Sequence, residues 1–257
     1  MKKYLAFSAV MLKSQLKGIL NEIGTVLSFI IHIIVFSFLW DFVLDGKEMA
    51  GYTKQDLIWY VIMAEAVLYS FHYFYRKVAY KVEMGDFAYD MTKPYNFLLR
   101  VISEGVAELP LTAVLLVVGA ILGIMFVGLI DISMLGLVIS MAFLLLATIL
   151  LLLVNIIVGL LSIWLGRDVS SVWLLCQKAM LIFAFTPVEL FPLGVQKVLL
   201  MLPTTHVIYT PASLLVHFNH TKCIESLFYM LISFVVLALI LWIIYKKGVK
   251  KQNVNGI

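Results

Sequence analysis

Long apolar runs separated by short polar breaks dominate the chain. They cover residues 23–44, 57–75, 109–130, 134–165, 169–185 and 224–245. Most of these runs would reach about 28–33 Å as helices at 1.5 Å per residue. That matches the roughly 30 Å hydrocarbon core of a bilayer. The pattern predicts an all-α integral membrane protein with six transmembrane helices in a single membrane domain over 1–257. The run 134–165 would reach about 48 Å, too long for one upright span and too short for two with a turn. It is read as one tilted helix that protrudes from the membrane.

Three segments do not fit a span. At the N-terminus, Leu5, Ala9, Leu12 and Leu16 recur at helical spacing while Lys13, Ser14 and Lys17 turn away. This predicts an amphipathic helix over 1–20 lying on the membrane surface. Lys13 and Lys17 interrupt any secretory h-region, so the segment does not read as a cleavable signal. Residues 76–108 form the longest polar stretch. Residues 186–223 are punctuated by Pro187, Pro192, Pro203 and Pro211 yet stay apolar between them. Proline ends the preceding helix near Phe185, and an apolar stretch that cannot span predicts a re-entrant segment dipping into the outer leaflet.

Composition narrows the class. The chain is 63% hydrophobic and 13% charged, with mean hydropathy +1.05. Soluble domains hold about 45–50% apolar and about 25% charged residues, so a soluble enzyme is excluded. The net charge is +4, and its placement matters more than its size. With six spans and the N-terminus inside, Lys2, Lys3, Lys13, Lys17, Arg76, Lys77, Lys81, Lys93, Arg100, Arg167, Lys246, Lys247, Lys250 and Lys251 fall on the inner side. Only Lys47, Lys54, Lys197 and Lys222 fall outside. This bias predicts a multi-pass plasma-membrane protein with both termini cytoplasmic. No basic stripe with interleaved aromatics marks a nucleic-acid partner.

Catalytic signatures are missing. No G-x-S-x-G, H-E-x-x-H or G-x-x-x-x-G-K-[ST] occurs, so the chain is not expected to be an enzyme by itself or to bind ATP through a P-loop. Cys176 and Cys223 form no ligand cluster. His217 and His220, with His206 nearby, read as solvated loop histidines, and no metal site is expected. Asn219-His220-Thr221 fits a glycosylation sequon. Glu65 falls near the middle of the second span, where a carboxylate is costly and must face the bundle interior. Lys178, beside Gln177 in the fifth span, is its candidate counter-charge. Two readings stand for this pair: a polar spot on a substrate path or proton relay, and a structural ion pair fixing helix register. His32 and Asn155 are single polar groups suited to interhelical hydrogen bonds, with Asn155 also a candidate on the path. Gly119 and Gly123 form a G-x-x-x-G, a spacing that permits close helix approach.

Taken together, the surface helix, the six spans, the inner loop after span two and the proline-broken outer segment resemble the ABC-2 type exporter permeases. The nearest likeness is to bacterial permeases of about this length that act with a separate ATPase. The loop Glu83-Met84-Gly85-Asp86-Phe87-Ala88-Tyr89-Asp90-Met91-Thr92-Lys93-Pro94-Tyr95-Asn96 is similar to that subgroup's glycine, then basic residue, proline and polar residue. Thr92 stands where a leucine is usual. Pro187-Val188-Glu189-Leu190-Phe191-Pro192, Leu202-Pro203 and Tyr209-Thr210-Pro211-Ala212 resemble its outer segment. The resemblance implies a cytoplasmic coupling helix after span two, docked on an ABC ATPase subunit. Gly85 would free its start, Asp86 would cap it and Pro94 would stop it. Tyr89 and Met91 would make contact, with Phe87 and Lys93 in the same motif. The loop's aromatics, Phe87, Tyr89, Tyr95 and Phe97, would be exposed for that partner. Arg167 and Asp168 would form a smaller second contact. A second permease subunit, identical or paralogous, would complete a path within membrane lipid for a hydrophobic or amphiphilic cargo. ATP and Mg would sit on the partner, leaving this chain without a cofactor. The other reading is a secondary carrier or channel subunit driven by an ion gradient through Glu65 and Lys178.

Overall fold

The computed structural model describes residues 2–17, 22–71, 73–165 and 169–254. Thirteen α-helices and one 3-10 turn run through these residues, and among them no strand is present. In order they are α1 (Lys2–Lys17), α2 (Ile23–Leu44), α3 (Lys54–Tyr69), α4 (Phe74–Glu83), α5 (Asp86–Met91), α6 (Phe97–Val106), α7 (Leu109–Val127), α8 (Met134–Leu160), α9 (Ser162–Leu165), α10 (Ser170–Phe185), the 3-10 turn Val188–Leu190, α11 (Leu193–Leu199), α12 (Pro203–Val216) and α13 (His220–Val254).

Five stretches are long and apolar enough to cross a membrane: Ile23–Leu44, Lys54–Glu83, Phe97–Val127, Met134–Leu165 and His220–Lys251. Two coincide with apolar runs read from the sequence, 23–44 and 134–165; two contain the runs 57–75 and 224–245; and Phe97–Val127 overlaps most of the run 109–130. The stretch expected as the fifth span is α10, a helix of 16 residues. At about 24 Å it falls below the usual spanning length. Helices α11 and α12 are bent by 109° at the break between them.

Two helices occupy the centre. Every residue of α3 from Leu57 to Tyr69 is buried, as is every residue of α12 from Thr205 to Leu215. Helices α3, α8, α10 and α13 surround α12. The proline-broken segment sends one helix into the heart of the bundle. Its prolines sit where the backbone tolerates them. Pro187 precedes the 3-10 turn, Pro192 precedes α11, and Pro203 opens α12, where its missing N–H costs nothing. Only Pro211 lies inside a helix.

The outer helices bury a single stripe. In α2 it runs through Thr25, Phe29, Ile33, Ser37, Trp40 and Leu44, and in α7 through Thr112, Leu115, Gly119 and Gly123. Their other faces expose Leu27, Ile31, Phe38, Phe42 and Val117. Lipid tails are as apolar as these side chains, so shape rather than burial must hold the helices together. Glycine supplies the shape. A Cβ on Gly123 would come within 2.9 Å of Ile62 and 3.0 Å of Trp59, so the G-x-x-x-G lets α7 lie tightly on α3. A Cβ on Gly159 of α8 would lie 2.8 Å from the Tyr75 carbonyl oxygen of α4.

The second span is not one continuous helix over 57–75. Helix α3 ends at Tyr69 and α4 begins at Phe74. The break is sealed from both sides. Ser70 Oγ donates to the Ala66 carbonyl at 2.7 Å and accepts from Thr112 Oγ1 at 2.7 Å. Asn155 Oδ1 accepts the Tyr75 N–H at 3.1 Å, and Asn155 Nδ2 donates to the Leu151 carbonyl at 3.0 Å. A freed backbone donor at membrane depth requires such a partner.

Candidate coupling site

Helices α4, α5 and α6 form a hairpin at one end of the bundle. Gly85 begins the turn into α5 with φ +80°, a left-handed conformation that glycine adopts without penalty. Gly85 is itself the N-cap, and Asp86 is the first helical residue without a side-chain capping bond. The expected cap is thus displaced by one position. Asp86 still places a carboxylate at the positive end of the helix. Helix α5 ends at Met91, Thr92 Oγ1 donates to the Tyr89 carbonyl at 2.8 Å, and Pro94 follows.

The aromatic residues of this hairpin divide into roots and tips, which corrects the expectation that all four are exposed. Phe87 and Phe97 are buried. Their rings meet edge to face at 4.8 Å, and the Tyr245 ring of α13 lies 6.0 Å from Phe87. Tyr95 is half-buried. Tyr89 is 60% exposed, and its hydroxyl accepts from Lys93 Nζ at 2.6 Å. That bond raises the Lys93 pKa, keeping a positive charge beside the ring. The Met91 side chain, and Arg167 and Asp168 as whole residues, lie outside the described residues.

A ladder of ion pairs braces the hairpin, and no sequence motif had singled it out. Lys77 Nζ donates to Glu108 Oε1 at 2.5 Å and Lys81 Nζ to Glu104 Oε2 at 2.5 Å. Arg100 Nε donates to Glu104 Oε1 at 2.9 Å, and Arg100 Nη1 meets both Asp90 oxygens at 2.6 Å. Tyr95 OH donates to Asp90 Oδ1 at 2.7 Å. Asp90 and Glu104 are buried, so their charges are compensated rather than solvated. The signal was in the spacing. Lys77 and Lys81 are four apart on α4, and Arg100 and Glu104 are four apart on α6, which sets each pair on one helix face, with Glu108 four residues further at the start of α7.

Helix α1 packs on α6. Ser8 Oγ donates to the Ser103 carbonyl at 2.5 Å, and the Asn96 N–H donates to Tyr4 OH at 3.0 Å. Lys3 Nζ donates to the Pro94 carbonyl. The Phe7 ring meets Tyr95 edge to face at 5.4 Å, and the Arg100 guanidinium lies 5.2 Å from the Phe7 centroid. The N-terminal helix and the α5 hairpin are thus one packed unit.

The other candidates lie elsewhere. Glu65 is wholly buried on α3, and the side chain that reaches it is His32 of α2, with Nδ1 3.0 Å from Glu65 Oε2. Tyr69 OH lies 3.2 Å from the same nitrogen. Lys178, the expected counter-charge, is exposed on α10 and close enough to His32 to act on it through space. Among the described ion pairs none joins Lys178 to Glu65. Gln177 is half-buried beside it. Asn155 is wholly buried at the α3–α4 break, so neither it nor Glu65 lines an open surface.

On the opposite side of the bundle from α5, Glu189 Oε1 accepts from Tyr209 OH at 2.6 Å and from Lys222 Nζ at 2.7 Å. Burial pushes the Glu189 carboxyl up, but Lys222 and Tyr209 outweigh it and hold its pKa below the ordinary value. His206 is not a solvated loop residue. It is buried in α12, stacked on Tyr229 at 5.3 Å, with Nε2 2.6 Å from the Leu200 carbonyl oxygen. Among the described residues no group of three His, Cys, Asp or Glu side chains forms a metal site.

Comparison with known proteins agrees with this architecture. The family model described as ABC-2 family transporter protein matches residues 20–256. No curated protein matches the chain. The all-helical membrane bundle and a match across nearly its whole length establish that this chain belongs to the ABC-2 transporter family, as a membrane permease component of an ABC transporter.

Proposed function

We propose that the chain is the permease of an ATP-driven exporter and that α5 is its coupling helix, seated in a groove of a separate ATPase subunit. The observation that carries this reading is the exposed Tyr89 edge on a hairpin whose roots are buried and ion-paired. A large aromatic held out on a braced six-residue helix suits a docking contact. ATP and Mg would belong to the partner, and the lysine and arginine excess supports a cytoplasmic position for this end and for both chain termini.

Force applied at α5 has two routes into the bundle. Asp90 and Arg100 lead into α6 and on to α7. The lysine–glutamate pairs lead into α4 and, past the break, to α3 and α12. ATP-driven closure of the ATPase pair would move two permeases, identical or paralogous, between inward- and outward-facing states. The exposed faces of α2, α10 and α13, with Gln177 and Lys178 among them, would bound a path for a hydrophobic or amphiphilic cargo. An ion-gradient carrier loses its motive here, because Glu65 and Lys178 do not form the pair that reading needs.

The test is affinity purification of the tagged full-length chain in mild detergent. An ATPase should co-purify at one copy per permease. Tyr89→Ala with Met91→Ala should reduce its recovery at least about tenfold, as loss of an aromatic anchor does, while the permease elutes unchanged. Unaltered recovery would remove α5 from the interface.

A further inference from the structure

Beside the coupling hairpin, two cavities join into one amphiphilic slot. The first holds about 260 Å³ and is walled by Leu12 of α1, Val26 and Leu27 of α2, and Pro110, Leu111 and Val114 of α7. Leu27 and Val114 are exposed on their helices, so this arm opens toward the hydrocarbon. Its size lies under the roughly 300–1,000 Å³ of an ordinary ligand pocket and suits a single alkyl chain. The second holds about 460 Å³ and is mixed, with Ser14, Gln15 and Lys77 on its walls beside Met11, Phe71 and Phe74. Gln15, Glu22, Glu108 and Leu111 line both, so they mark the junction.

The charges at the junction are unequal. Lys77 is engaged by Glu108 at 2.5 Å. Glu22 stands within Coulombic range of Glu108, and the hydrogen bond recorded for it comes from Thr25 at 3.3 Å. One carboxylate is thus left to face a cation, beside donors that suit a phosphate: the Ser14 hydroxyl, the Gln15 amide and the remaining Lys77 protons. An apolar arm open to lipid, a carboxylate at its neck and a donor-rich chamber beyond it match one molecule: a glycerophospholipid whose headgroup carries a primary ammonium next to its phosphate. We infer that this slot holds such an aminophospholipid as a resident ligand, with an acyl chain between α1, α2 and α7, the ammonium on Glu22 and the phosphate among Ser14, Gln15 and Lys77. The site is separate from α5 and from the exposed α10 face, so it does not depend on the cargo path proposed above.

The experiment is native mass spectrometry of the delipidated full-length chain, titrated separately with phosphatidylethanolamine, phosphatidylcholine and phosphatidylglycerol of identical acyl chains. Phosphatidylethanolamine should be retained about fivefold more than the other two, the worth of one partly exposed ion pair. Glu22→Gln should bring the three to parity, Glu22→Asp should keep most of the preference, and Val114→Trp, which fills the apolar arm, should lower retention of all three. Phosphoethanolamine without chains should not be retained. Equal retention of the three lipids by the unaltered chain would overturn the assignment, as would a preference that survives Glu22→Gln. Stronger retention of dodecylammonium than of phosphatidylethanolamine would overturn it in favour of a cationic amphiphile. If Val114→Trp fails to fold, the comparison of Glu22→Gln with Glu22→Asp still decides the matter.

Discussion

The α4–α6 hairpin and the centre of the bundle solve the same problem with opposite materials. At α4–α6, buried carboxylates and partly buried cations are tied to one another in a chain from Asp90 to Lys81. Around α12, polar side chains return to nearby backbone instead. Thr205 Oγ1 donates to the Leu199 carbonyl at 2.7 Å, and Ser213 Oγ donates to that of Thr210 at 3.2 Å. Close approach at glycine does the rest. Directional charge pairs keep the hairpin in one orientation, whereas shape and satisfied backbone keep the bundle closed. Lipid offers no water to rescue a broken pair, so the centre relies mainly on polar groups satisfied by nearby backbone, with the His32–Glu65 contact as its exception, and the hairpin relies on ion pairs.

This contrast can be broken from either side. The largest effect is expected from Arg100→Ala, which strands the buried Asp90 and half-strands Glu104. Removing one partner of such a network costs about 3–5 kcal/mol. The loss should be local: hydrogen exchange should accelerate over 86–104 while α3, α8 and α12 stay protected. Exchange that rises equally through α12 would mean the two regions are not distinct.

Gly159→Val attacks the other region. Its new side chain meets the Tyr75 carbonyl and Val78, and backbone cannot retreat as a flexible side chain can. Overpacking costs about 1–3 kcal/mol, here toward the upper end. The detergent-unfolding midpoint should fall for the whole chain, and α5 should open no earlier than the bundle. A midpoint within error of the unaltered chain would show that α8 and α4 are not in close contact.

The smallest effect lies at Glu189, where a charge pair borders the bundle. Its folded pKa is depressed below its ordinary 4.5. Its contribution to stability is therefore present above pH 4.5 and lost as the pH falls through the lower folded value. Glu189→Gln should lower the melting temperature at pH 7 by the equivalent of about 1 kcal/mol. The gap to the unaltered chain should close on acidification. A gap independent of pH would assign the effect to packing.

Much of this architecture was legible as periodicity. The long apolar runs survive in the structure because a bilayer enforces both length and polarity. Helix α12 was not legible. Thr204, Thr205, His206, Tyr209, Thr210 and Ser213 give it the composition of a loop, and sequence does not tell whether such groups meet water or the adjacent turn. The hairpin was half-legible. Gly85 and Pro94 marked its limits, but four aromatics within a short loop look alike until α13 is placed against two of them. The ion-pair ladder was legible in principle from two four-residue spacings that face each other only once α5 reverses the chain. Glu65 was rightly marked as buried, yet its partner comes from α2, and no spacing links residues so far apart in the chain.

The two lysine–glutamate rungs also act as a ruler. Lys81 of α4 lies opposite Glu104 of α6, and Lys77 of α4 lies opposite Glu108 at the start of α7, so the two sides of the ladder run antiparallel. One helical turn is about 5.4 Å, and both spacings equal about one turn. A slip in one direction brings Lys81 opposite Glu108 and preserves a rung. A slip in the other keeps a rung between Lys77 and Glu104 but sets Lys81 opposite Arg100, two cations. The native register is therefore the one in which both lysines meet a carboxylate, and a slip of one turn either way leaves a single rung, with an added repulsion in one sense.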